Sequence, residues 1–284
     1  MRKTTLFVSA FFVFISLLSL YPTVSAEQRP TWEVPPAPED YWNYEAAEPT
    51  SVSTTGPDRG PHWEQTTMLS ESDNADILLS SGYYFAGAWT TKDTDGIRAY
   101  EIRVTNPSVP HPSDDFFGAY IMVYDDAEQN WFQVGWTEDG KKANDQYILV
   151  QHKWPGNMWE AYYEQYNLSP GMSIHVELRH SLYEWTAWLW WNNAWVRLVT
   201  RTLSFKEAPM TAQFGEAYVT GTTFYVPDTN FYSIWLYRYI PHIGLRAYLW
   251  DTYWGYTTTI SDHPYYSYWY NKYWNWYVHY RTGH

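Results

Sequence analysis

The chain contains no cysteine, and only 17% of its residues are charged. Without thiols it can build neither a disulfide scaffold nor a zinc–thiolate site, so its stability must come from a packed core. Lys and Arg number 18 against 31 Asp and Glu, for a formal charge of −13. Binding a phosphate backbone draws on a surplus of cations, so nucleic acid is not an expected partner. The sequence has no His-Glu-x-x-His pair, no Gly-x-Ser-x-Gly elbow and no phosphate-cradling glycine loop after a strand. Asp93-Thr94-Asp95-Gly96 offers two carboxylates and a turn glycine. Calcium takes six or more oxygens, so this segment reads as a turn. His152 and His175 fall in strand-like runs and read as hydrogen-bonded sheet residues, and no metal or cofactor is expected. No stretch keeps a 3.6-residue period, and Pro and Gly recur too often for long helices.

What is present in quantity is aromatic surface. Trp, Tyr and Phe number 19, 28 and 12 and make up 21% of the chain, enough apolar area to offset the entropy of folding. Arg2 and Lys3 precede an apolar run from Leu6 to Leu20, and Val24, Ser25 and Ala26 are the small residues of a cleavage site. Residues 1–26 therefore read as a signal peptide, no transmembrane segment is expected after its removal, and the mature chain is expected to be secreted or at the cell surface. Losing Arg2 and Lys3 deepens the negative charge by two. Residues 27–62 hold seven prolines among Glu, Ser and Thr, the composition of a linker or draped arm that Trp32, Tyr41, Trp42 and Tyr44 can pin to the body.

From Trp63 onward the pattern is β. Short aromatic or β-branched runs cover 82–89, 97–105, 117–124, 131–136, 146–153, 159–166, 173–178, 185–191, 195–200, 211–219, 222–226 and 231–239, with Gly, Pro, Asn or Asp in the gaps. The expectation is an all-β, mostly antiparallel sandwich or jelly roll over residues 63–237. Trp188-Leu-Trp-Trp-Asn192-Asn193-Ala-Trp195 is the clearest hairpin, because two Asn tolerate the positive φ of a tight turn. Residues 238–284 read as a separate extension, with 16 Tyr or Trp in 47 residues and more cations than anions. Three fates suit it: added strands, stacking on a polymer, or lying at a membrane interface.

Carboxyl and amide side chains are the remaining chemical candidates. Glu160, Glu164, Glu177, Glu184 and Glu216 all fall within expected strands, and Glu160 and Glu164, four apart, share a strand face. Gln133, in Trp131-Phe-Gln-Val-Gly-Trp136, is an amide inside an apolar strand. It either faces solvent from an outer sheet surface or lines a hollow where it needs partners, since an unpaired buried amide costs about 1 to 3 kcal/mol.

The run from Gly96 to Pro107, followed by Phe116 to Val123 and Trp131-Phe-Gln-Val-Gly-Trp136, resembles the core of the glutamic-peptidase superfamily. That superfamily includes fungal glutamic peptidases, plant neprosin-type proteins and bacterial secreted sandwich domains. The resemblance implies a concanavalin-like double sheet in which Gln133 takes the place of the Gln of a Gln/Glu dyad. Ala161-Tyr-Tyr-Glu164-Gln-Tyr166 is similar to the family's aromatic-Tyr-Glu-aromatic strand, and Phe214-Gly-Glu216-Ala-Tyr-Val219 to its later Ala-Glu strand. Gapless matching puts Thr220 where the family has its catalytic Glu. A hydroxyl does not exchange protons at acidic or neutral pH as a carboxyl does.

That departure favours a secreted binding protein. Its expected partner is a polysaccharide or another extended cell-wall or matrix polymer, held in a concave aromatic groove by Gln133, Trp136, Tyr162, Glu164, Trp188 and Trp190. The alternative is a glutamic endopeptidase using Gln133 with Glu164 or Glu216. A second alternative is a structural surface protein that self-associates through its aromatic tail.

Overall fold

The computed structural model describes residues 36–40, 43–54, 82–106, 115–127, 129–139, 146–220, 228–251, 256–262, 265–271 and 273–280. The expected signal peptide, most of the arm and the strand expected over 222–226 lie outside them. By internal contacts the chain divides into Met1–Pro36 and Ala37–His284, and both sheets belong to the second unit. Among the described residues no helix is long and apolar enough to cross a membrane.

Antiparallel ladders assemble two eight-stranded sheets. The first runs, edge to edge, β1 (Ser51–Ser53), β7 (Asn157–Leu168), β6 (Gln146–Trp154), β5 (Asn130–Asp139), β4 (Phe116–Asp125), β11 (Met210–Val219), β2 (Gly82–Thr90) and β14 (Thr257–Ser261). The second runs β10 (Ala194–Thr202), β9 (Glu184–Trp191), β8 (Ser173–Ser181), β3 (Gly96–Arg103), β12 (Thr229–Ile240), β16 (Asn275–Tyr280) and β15 (Tyr265–Asn271), with β13 (Gly244–Leu249) also on β12. Among the described residues every ladder in both sheets is antiparallel, and short turns join the consecutive pairs such as β6–β7, β8–β9 and β9–β10. Asn192 and Asn193 carry φ values of 51° and 63° between β9 and β10, the left-handed pair that a two-residue hairpin needs.

Strand period sorts the side chains into layers. Phe132, Val134 and Trp136 of β5 meet Ile174, Val176 and Leu178 of β8 in the core between the sheets. The opposite face of the first sheet carries a second buried cluster, with Phe85, Tyr120, Met122, Trp131, Leu149 and Phe214. Two glycines make room there. A Cβ on Gly135 would lie 1.9 Å from the Ala119 carbonyl oxygen, and one on Gly118 would strike the Tyr120 ring, which lies flat across both positions.

The compositional boundary at residue 237 falls inside β12, so the aromatic tail continues the sandwich as added strands. β14 extends the first sheet and β15–β16 extend the second. The Ser267 hydroxyl donates to the Ile260 carbonyl across that corner. Trp276 stacks between Phe231 and Trp269, with centroids 4.4 and 4.6 Å away, and its indole N–H donates to Gln213 Oε1 at 2.7 Å. The arm is likewise pinned. Tyr44 packs edge-on to Trp188 at 5.5 Å, Ala47 N–H donates to the Arg197 carbonyl, and β1 pairs with β7.

Candidate functional site

Gln133 lies on the face of the first sheet that points away from the interlayer core, yet it is 0% exposed. Register explains its company. Gln133 of β5 stands opposite Gln151 of β6, and Gln151 stands opposite Glu160 of β7. Directly opposed residues project to the same side, so three polar side chains form one row across three strands. Gln133 Nε2–H donates to Gln151 Oε1 at 3.1 Å, and Gln151 Nε2–H donates to Glu160 Oε1 at 2.5 Å. The Tyr162 hydroxyl, two residues along β7 and therefore on the same face, donates to Glu160 Oε2 at 2.7 Å. Both oxygens of Glu160 thus accept, which fixes the plane of its carboxyl group. Gln151 and Glu160 are also 0% exposed. A buried row of this kind is held by mutual satisfaction, since each group alone would carry a desolvation penalty.

The other expected members do not join this row. Glu164 is on β7 but four residues beyond Glu160, about 13 Å along the strand. It flanks the arm, where its backbone N–H donates to Thr50 Oγ1. Glu216 of β11 shares the outward face and is buried opposite Gly118 and Phe85. The ladder from Gln133 passes through Met122 to Ala212, so Glu216 lies two strands across and four residues along, roughly 17 Å from Gln133 between Cα atoms. Thr220 N–H and Oγ1–H both donate to Asp115 Oδ1, at 2.8 and 2.6 Å, which ties the end of β11 to the start of β4.

The expected aromatic groove is not a single surface. Trp136 is three residues from Gln133, hence of opposite parity, and is buried in the interlayer core against Phe117. Trp188 and Trp190 belong to β9 and so to the other sheet. Of the rings expected around Gln133, only Tyr162 is there. Trp188 instead borders a depression of about 290 Å³ on the second sheet, together with Asp95, Arg179, His180 and Tyr239. There His180 Nε2 meets Asp95 Oδ1 at 2.8 Å and His180 Nδ1 meets the Leu182 carbonyl at 2.9 Å. Burial raises the Asp95 carboxyl, but hydrogen bonds from His180 and the Tyr239 N–H outweigh it and hold the group below its usual range.

Beside that depression the second sheet buries a charged cluster. Glu177 and Arg179 of β8 are paired at 3.3 Å and nearly unexposed, and the Tyr237 hydroxyl donates to Glu177 Oε2 at 3.0 Å. Next to them Arg98 Nε–H donates to His175 Nε2 at 2.7 Å. Burial and then the Arg98 charge push His175 down to about 2, so it is neutral with its proton on Nδ1. Among the described residues no group of three or more His, Asp or Glu is placed to hold a metal ion.

Sequence reasoning missed Gln151, and among the strand carboxyls it favoured Glu164 and Glu216 over Glu160. The signal for Gln151 was the one used for Gln133, an amide inside an apolar strand, in Val150-Gln151-His152. No family model matches the chain, and no curated protein matches it. Among solved structures the chain is similar to scytalido-glutamic peptidase with a transition state analog inhibitor, at 13% identity and a TM-score of 0.47, over 71% of this chain and all of that one.

Proposed function

We propose that the protein is a secreted glutamic-type endopeptidase in which Glu160 moves the proton, the Gln151 amide steadies the oxyanion and Gln133 holds Gln151 in place. The observation that carries this reading is the hydrogen-bonded row Gln133, Gln151, Glu160, Tyr162. In the forward step the Glu160 carboxylate takes a proton from water as the water oxygen bonds to the peptide carbonyl carbon. The carbonyl oxygen becomes an oxyanion that accepts from an amide N–H. Glu160, now a carboxylic acid, then gives its proton to the departing nitrogen as the C–N bond breaks. The products are a carboxyl and an amine, and the carboxylate is restored.

Two fixed contacts suit this role. Tyr162 holds one carboxylate oxygen, which leaves Oε1 as the atom facing the amides. Gln133 holds Gln151 by its oxygen and so aims the Gln151 N–H groups at Glu160. Preorganised donors of this kind need no rearrangement when charge develops. The polymer-groove reading lacks this support, because its rings are divided between the interior and the second sheet.

The test is hydrolysis of an acid-denatured protein substrate from strongly acidic to neutral pH. Wild type is expected to cleave it, and Glu160→Gln to lose about 100-fold or more in rate. A wild-type chain with no cleavage at any pH, or a Glu160→Gln variant as active as wild type, overturns the reading.

A further inference from the structure

β7, the strand that carries Glu160, lies one place in from the edge of the first sheet, and the edge strand beside it, β1, is short. β7 has twelve residues, whereas among the described residues β1 has three, paired with Glu160, Ala161 and Tyr162. Ser53 stands directly opposite Glu160 and Ser51 opposite Tyr162. β1 contributes little apolar burial, with Val52 53% exposed. Its hold comes from main-chain pairing and polar contacts. Thr50 N–H donates to the Tyr162 carbonyl at 2.7 Å, Thr50 Oγ1–H to Gln165 Oε1 at 2.7 Å, and Gln165 Nε2–H to the Glu48 carbonyl at 2.8 Å. The main-chain contacts among these, the β1–β7 ladder and the bond to the Glu48 carbonyl, are available to almost any extended backbone.

At its other end the same segment is gripped by its backbone. Ala37 N–H donates to Glu177 Oε2 at 3.2 Å, and the Arg179 guanidinium donates to the Ala37 carbonyl. Two buried charges are thus spent on one residue's amide and carbonyl, and neither reads a side chain. Between these ends Tyr44 on Trp188 and Ala47 on Arg197 mark the path.

We infer that the β7 edge is a lane for an extended polypeptide, taken by strand addition beside Glu160, and that residues 48–54 occupy this lane in cis. The inference rests on the peptidase reading for what happens to the bound chain, though not for its binding. A strand in the β1 position places its backbone about 5 Å from the Glu160 Cα, with the carboxylate above the plane of the sheet. Departure of Ser53 also opens Glu160 from the edge, where it is now buried. β7 is four times as long as β1, so a longer peptide makes more ladder bonds than the segment it displaces.

The experiment uses the full chain and a fluorescein-labelled peptide with the sequence of residues 45–54, read by anisotropy. Tyr44→Ala/Thr50→Val loosens the cis segment without touching the buried charges. Ser51→Cys/Tyr162→Cys ties β1 to β7 through a disulfide, in a chain with no other thiol. The loosened protein is expected to bind the peptide about tenfold tighter than wild type, because a larger fraction of it has the lane open. The oxidised tied protein is expected not to bind it until reduced. Equal affinity in the wild-type, loosened and oxidised proteins overturns the inference, and so does binding to none of them. Binding as expected with no cleavage at any pH overturns the peptidase reading and leaves the lane standing. Cleavage by a further tied pair, Thr50→Cys/Gln165→Cys, equal when oxidised and reduced, overturns the lane and leaves the peptidase reading standing.

Discussion

Gln151 donates its amide proton to Glu160 across one strand spacing, at 2.5 Å, with both side chains wholly buried. This contact decides which carboxyl is the reactive candidate. Cross-strand register brings Glu160 to an amide, whereas Glu164 shares the strand but not the position.

The pair separates Glu160 from its neighbours by mutation. Tyr162→Phe removes one hydrogen bond to a charged group, worth about 1.5 to 3 kcal/mol, and leaves the carboxylate in place. Its rate is expected to fall roughly tenfold, because Glu160 loses the donor that fixes one of its carboxyl oxygens. Glu164→Gln is expected to match wild type. Pre-steady-state rates across pH for the two variants check both outcomes.

Acid stability is expected to be governed by two buried histidines. His152, 6% exposed, is pushed down to about 4 by burial and then by the Arg201 charge, and His175 to about 2. An unfolded histidine titrates near 6.5, so below that pH unfolding takes up protons and stability falls, by about 1.4 kcal/mol per pH unit for each group. The loss from His152 ends near pH 4 and that from His175 continues below it. His175→Gln keeps an acceptor for Arg98 and removes one titration. Its melting temperature is expected to drop less than that of wild type between neutral pH and pH 4, as calorimetry would show.

Asp262 acts with the opposite sign. Burial raises its carboxyl to about 6, although the Phe85 N–H donates to it at 2.9 Å and opposes the shift. The folded chain therefore holds this proton more tightly than the unfolded chain, whose Asp titrates near 3.9, and stability falls as pH rises through that interval. Asp262→Asn keeps an acceptor for Phe85 and has nothing to ionise. Above pH 6 it is expected to melt at a higher temperature than wild type, and at pH 4 at the same temperature.

Gly135→Ala tests the close packing beneath the candidate row. The new methyl would meet the Ala119 carbonyl oxygen and the Tyr120 ring, neither of which can yield without moving β4. Overpacking of this kind costs about 1 to 3 kcal/mol. Urea unfolding is expected to show that loss, and Gly156→Ala, at an open turn with φ 74°, a smaller one from backbone strain alone.

Much of the sandwich was legible locally. Eleven of the twelve expected strands match observed ones to within a few residues, because alternating aromatic and β-branched runs between Gly, Pro and Asn turns are local signals. The Asn192-Asn193 hairpin was legible for the same reason. The site was legible only in part. Gln133 was evident as an amide in an apolar strand, whereas Trp136, three residues on, falls by the two-residue period on the opposite face, in the core. The tail was set apart on composition, although Trp250 and Trp276 belong to the core and its strands pair with both sheets.

The sequence by itself determined an all-β, cysteine-free chain stabilised by aromatic burial, since strand period and composition are properties of short segments. Only the tertiary structure decided that Gln133, Gln151 and Glu160 stand in one row while Glu164, Glu216, Trp188 and Trp190 stand elsewhere. The physical reason is register. Which residues of separate strands face one another depends on turns, bulges and packing along the whole sheet, and a shift of one residue would send each of these side chains to the opposite face.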